Sequence, residues 1–170
     1  MFDYSRYLEI HRDLAVAHPQ LQHIEGQRTA WLGDDSEEDK QGSRNQAPYI
    51  MMMLQVTGSI RGDEDMQTDV WKGGFEIVGR LAQGGAKDFR AAEEVAQAAF
   101  KIGREIIDRL NAMSTGEACD DTHCACVIGA FDLASVRWEK IEYKGTHTGW
   151  RFTYNLGDGE VNEYDASIWE

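Results

Sequence analysis

The sequence predicts an α+β fold: a mainly antiparallel sheet, made of a long central β-hairpin and a C-terminal β-meander, packed against one long and one short helix. Three patterns predict it. Residues 49–60 (YIMMMLQVTGSI) and 69–82 (DVWKGGFEIVGRLA) are strand-like runs joined by the polar segment 61–68, a hairpin that the rest of the chain must cover or extend. Apolar residues recur at helical steps along 88–113. From Asp132 onward the pattern returns to period two, with Trp150, Phe152, Tyr154 and Leu156 alternating against Arg151, Thr153 and Asn155.

In chain order, residues 4–17 place Tyr4, Tyr7, Leu8, His11, Leu14 and Ala15 on one helical face. Asp3 is positioned to cap its first turn and His18-Pro19 to stop it. His11 is read as a partly buried histidine satisfied by a neighbour in preference to a ligand. Residues 21–32 read as a modest strand, or two half-strands around Gly26, with Trp31 as the largest apolar surface. Residues 33–47 follow, a polar stretch with Asp34, Asp35, Glu37, Glu38 and Asp39 opposed only by Lys40 and Arg44. It has too little apolar area to order itself, and reads as a solvated loop or as a contact that orders on a partner.

In the central hairpin, Ile50, Met52, Leu54, Val56 and Ile60 share one face, while Tyr49, Met51 and Met53 give the first half a second apolar face. That half should be covered on both sides. On the returning strand Trp71, Phe75, Ile77 and Leu81 alternate against Lys72, Glu76 and Arg80, the pattern of one buried and one wet face. Gly73, Gly74 and Gly79 mark a bulge or a close backbone approach. Asp88 should cap the long helix, whose stripe Ala92, Ala96, Ala99, Gly103, Ile106, Leu110, Met113 is small-faced in its first half and suited to close packing on strands. Residues 114–130 read as an irregular insert. In 135–144, Val136 and Trp138 on one face give way to Ile141 and Tyr143 on the other, suggesting a bulge near Glu139–Lys140. Residues 145–149 form a hairpin loop, and 160–169 can return as a last strand.

Length and composition are those of one domain over residues 1–170. The net charge of −13 argues against a nucleic-acid backbone or an anionic membrane surface as partner, since both recruit cationic side chains. No apolar run approaches a membrane span and the charged first residues are no signal peptide, so a cytoplasmic protein is expected. Three cysteines fit a reducing compartment. Cys119, His123, Cys124 and Cys126 are zinc-type ligands, but a single residue between Cys124 and Cys126 and the lack of a second pair set zinc below the reading of ordinary thiols. Gly74–Gly79 has phosphate-loop spacing, yet Arg80 stands where lysine is needed and the run reads as strand. The five histidines are scattered and no nucleophile motif is present, so no cofactor and no catalysis are expected.

The order helix, weak strand, polar loop, long hairpin, helix, C-terminal hairpin resembles the tail terminator proteins of long-tailed bacteriophages. The similarity lies chiefly in Pro48–Leu81: a proline, an apolar strand ending Leu54-Gln-Val-Thr57-Gly58, the acidic connection Gly62-Asp-Glu-Asp65, then Thr68-Asp-Val-Trp71 entering an amphipathic strand. The strand 150–156 and the ending Ile168-Trp169 look like the terminal strands of such tail proteins. Segments 33–47 and 114–130 depart from the pattern. The resemblance implies a non-enzymatic virion protein whose copies form a homo-oligomeric ring on the tail-tube end, contacting tube and head-completion proteins, in the bacterial cytoplasm and then in the virion tail. The expected contacts are Asp34, Asp35, Glu37, Glu38, Asp63, Glu64 and Asp65. The alternative is a small acidic cytoplasmic module that binds a basic protein partner.

Overall fold

A computed structural model describes residues 4–21, 30–32, 49–62, 67–82, 88–115, 130–143 and 146–157. The elements are α1 (Tyr4–Ala17), β1 (Ala30–Leu32), β2 (Tyr49–Met53), β3 (Thr57–Gly62), β4 (Gln67–Arg80), α2 (Phe89–Thr115), β5 (Ala130–Tyr143) and β6 (His147–Gly157). The fold is α+β, as the periodicities predict. Six strands form one sheet in the order β1-β2-β4-β6-β5, with β3 also paired to β4. Every described pairing is antiparallel except β1 with β2.

Both helices contribute to one apolar core on one face of the sheet. Tyr7, Ile10, Leu14 and Ala15 of α1 and Ala99, Ile102, Ile106, Ile107 and Leu110 of α2 meet Met51, Phe75, Ile77, Phe152, Tyr154 and Leu156. The expected stripe of α2 is therefore its buried face, and its small residues serve the close approach: a Cβ on Gly103 would lie 2.1 Å from the Phe152 ring. Asp88 caps α2 as predicted, its Oδ1 accepting from the amides of Arg90 and Ala91, each at 3.1 Å. The Trp150 indole donates to the Ala96 carbonyl at 2.9 Å, and an ion pair joins Lys140 of β5 to Glu93 of α2.

The first half of the central hairpin is covered on both sides, since Ile50, Met51, Met52 and Met53 are all buried. The far face, turned away from the helices, carries a second apolar cluster of Ile50, Met52 and Val78, with Ile141 and Tyr143 against it. Four expectations are corrected here. The wet face assigned to β4 is not wet along its length: Glu76 is 2% exposed and Val78 fully buried. Val56 joins the helix-side core, not the face of Ile50 and Met52. The cause is a bulge in which residues 54–56 oppose only Gly73 and Gly74 of β4, shifting the register by one residue. Third, the irregularity in β5 lies not at Glu139–Lys140 but between Asp132 and Arg137, where residues 133–136 oppose Tyr154 alone. The switch from Trp138 to Ile141 needs no bulge, because both sheet faces are apolar there and strict alternation serves both. Fourth, His147–Gly149 belong to β6, so the meander connection is shorter than 145–149. The strand expected at 160–169 lies outside the described residues.

Candidate interaction site on the far face

β2–β3, β4, β6 and β5 lie side by side, so far-face side chains from four segments form rows across the sheet. One row is ionic. Glu76 of β4 stands opposite Arg151 of β6, and Arg151 opposite Glu139 of β5. Arg151 donates through Nε to Glu76 Oε1 at 2.6 Å and through Nη1 to Glu139 Oε1 at 2.8 Å. The Tyr143 hydroxyl donates to the other oxygen of Glu76. A carboxylate this buried needs such partners, because desolvation of an unpaired charge is costly. Burial works against the Arg151 charge, but the hydrogen bond and proximity to Glu76 outweigh it and raise the guanidinium pKa.

Beside this row lies a cleft of about 610 Å³, lined by Leu54 and Gln55 at the bulge and by Lys72, Arg137, Arg151 and Thr153 among others. Arg137 is held at its rim by two hydrogen bonds from Nη1, to the carbonyls of Ala134 at 2.9 Å and Val136 at 2.8 Å. The irregularity in β5 that presents those carbonyls is itself fixed, with Ser135 Oγ accepting from the Asn155 amide at 2.7 Å and donating to the Asp132 carbonyl at 2.6 Å. Lys72 is exposed next to the bulge. The cleft thus gathers three cations against Glu139 and the buried Glu76, in a chain whose net charge is −13. It suits a carboxylate-bearing peptide, with Arg137 and Lys72 as charge-assisted donors.

A second polar centre lies on the helix side. The Tyr7 hydroxyl accepts from the Gly74 amide at 2.9 Å, the partner that the bulge removes from that amide, and donates at 2.8 Å to the Gly74 carbonyl, which also accepts from the Leu54 amide at 3.0 Å. Gly73 makes room for it: a Cβ there would lie 2.7 Å from Tyr7 Cε2. His11 Nδ1 faces the Tyr7 carbonyl at 2.7 Å, an acceptor, so Nδ1 carries the proton and Nε2 accepts from the Tyr154 hydroxyl. Burial pushes the imidazole down to about 4 and the Tyr7 phenol up to about 12. The expectation of a satisfied histidine at position 11 holds, and its burial is complete. This node fastens α1 to the sheet.

The residues expected from sequence to make contacts, Asp34, Asp35, Glu37, Glu38, Asp63, Glu64 and Asp65, lie outside the described residues, as do Cys119, His123, Cys124 and Cys126. Backbone pairing nevertheless locates the attachment of 63–65, since Gly62 pairs with Gln67 at the end of the hairpin. Among the described residues no group of three His, Cys, Asp or Glu side chains is placed to hold a metal ion, and no helix is long and apolar enough to cross a membrane. Sequence reasoning missed Lys72, Arg137, Arg151 and Thr153. Their signal was present only as polar positions in period two, which place each residue on a face but not beside the others. No family model and no curated protein matches the chain.

Proposed function

We infer that this chain is a non-enzymatic structural protein of a long-tailed bacteriophage or prophage. Its copies close into a ring at the end of the tail tube and take part in tail termination or head–tail joining. The observation that carries the reading is the β3–β4 hairpin. β4 pairs with β3 from Lys72 opposite Thr57 as far as Gln67 opposite Gly62. The two strands are thus held together up to Gly62 and Gln67, and in sequence the acidic run Asp63-Glu64-Asp65 joins them, the composition of a contact loop. The order of elements around it is the one that resembles tail terminators. The tail tube and head-completion proteins are the partners on this reading, first in the host cytoplasm and then in the virion.

The test is the absolute mass of the purified protein by light scattering across a hundredfold range of concentration, with negative-stain images of each species and of mixtures with tail tubes. Closed rings, free or capping a tube end, are expected. A strict monomer that also leaves tube ends bare would overturn the reading in favour of an acidic module that binds a basic protein.

A further inference from the structure

We propose that β5 pairs antiparallel with the β5 of a second copy of this chain, about a two-fold axis at Trp138, joining two sheets edge to edge. The contact goes beyond the ring reading and does not depend on it. Among the described residues β6 is the only strand paired with β5, which ends the sheet. Consecutive residues of a strand point to opposite faces, yet Arg137, Trp138, Glu139 and Lys140 are all exposed, so this stretch of the edge is open on both faces. An open edge offers backbone N–H and C=O groups to a further strand.

Charge identifies the occupant. The row Glu76–Arg151–Glu139 holds one cation for two carboxylates and ends at the edge with Glu139, whose side chain is 61% exposed. Arg137 spends Nη1 on the carbonyls of Ala134 and Val136, and among the described residues it has no ion-pair partner. A two-fold axis perpendicular to the sheet keeps like faces together. Centred on residue 138, it sets Arg137 of each copy opposite Glu139 of the other, and the row continues across the edge with alternating sign. On the helix side Trp138, 50% exposed and set edge-on to Phe100, meets its own counterpart at a Cα separation of about 4.5–5.5 Å.

Neighbouring registers are less favourable. Centring on Arg137, Glu139, Lys140 or Glu142 puts that residue against itself, a like-charge pair. Centring on Ile141 pairs Lys140 with Glu142, but Lys140 is already held by Glu93, and Trp138 then falls past Tyr143, the last residue of the facing strand. A charged edge can thus admit one partner and refuse others. The irregularity at 133–136 keeps the pairing short, so the dimer is weak and concentration-dependent, and the isologous contact closes at two copies. Two copies at −13 repel at a distance, but screening over about 8 Å at physiological salt leaves the local pairing to decide the contact.

Sedimentation velocity of the full chain over a hundredfold range of concentration reads the contact, with circular dichroism to check that variants fold. The parent is expected to dimerise as concentration rises. Arg137→Glu and Glu139→Lys should each weaken dimerisation at least tenfold, since each sets like charges opposite one another twice. An equimolar mixture of the two variants restores both opposite-charge pairs and should dimerise like the parent. Amide hydrogen exchange of the parent needs no variant, and its slowing with concentration should centre on Trp138. No dimer at the highest concentration, variants that dimerise like the parent, a mixture no better than either variant, or slowing centred on another strand would each overturn the proposal. Rings that form with no change at these amides would remove the contact and leave the ring reading standing. Dimers that never close into rings would keep the contact and remove the ring reading.

Discussion

Tyr7 and His11 fasten the first helix to the sheet through groups whose protonation burial has displaced. An imidazole of ordinary pKa near 6.5 falls to about 4 in the folded chain, so His11 is neutral when folded across the neutral range. Its contribution is complete above about pH 6.5 and is lost as pH falls through the window down to about 4, in total about 3 kcal/mol. His11→Gln, which does not titrate, should be less stable than the parent at pH 7, with the gap narrowing by pH 4.5, as read from urea midpoints at both pH values. Arg151 makes the opposite case, a pair held by proximity. Arg151→Met leaves the buried Glu76 carboxylate without a cation, held by the Tyr143 hydroxyl's hydrogen bond, and should cost about 2 kcal/mol, a figure discounted for the partial exposure of Arg151. Adding Glu76→Gln should recover part of that loss in a double-mutant cycle. That His11 would be buried and satisfied was legible from its place in the α1 stripe. That its partner would be Tyr154, far along the chain, was not, because periodicity assigns a face and says nothing about what lies across from it.

Helix and strand limits were legible to within a few residues wherever one periodicity persisted. The expected helix over 4–17 has the observed limits, and α2 runs two residues past the predicted Met113. Errors arose where two surfaces competed. In β4 and β5 both faces carry apolar residues, so a change of face imitated a bulge at Glu139–Lys140, while the real irregularity at 133–136 is built from Ser135, Asp132 and Arg137, polar residues with no period. The glycines show how tightly the elements meet. A Cβ on Gly149 would fall 1.9 Å from the Ile77 carbonyl oxygen, backbone of the central strand, whereas one on Gly58 would meet nothing nearer than 4.0 Å. Gly149→Ala should therefore destabilise by about 2 kcal/mol or more and Gly58→Ala by less than about 0.5, compared by thermal unfolding.

For the whole molecule, stability and assembly are expected to separate. The core that joins α1 and α2 to the sheet lies around Phe75, Phe152 and Tyr154, while residues 63–65 follow, in sequence, the last described β3–β4 pair, Gly62 with Gln67. On the proposed ring reading, replacing Asp63, Glu64 and Asp65 together by Ser should leave the circular dichroism spectrum and melting temperature near those of the parent and impair assembly, as measured by light scattering. A variant that fails to fold would make the connection part of the scaffold. The sequence by itself determined the α+β class, the two helices with their buried stripes, the long hairpin and the alternation of β6, because each follows from local periodicity and from end signals such as Asp88. Only the tertiary structure decided that Glu76, Arg151 and Glu139 form one row, that Tyr7 fills the gap at Gly74, and that Lys72, Arg137 and Arg151 share a cleft. Those neighbours are set by strand order and register, which follow from how apolar area on both faces is best buried across distant parts of the chain, and no local pattern records that choice.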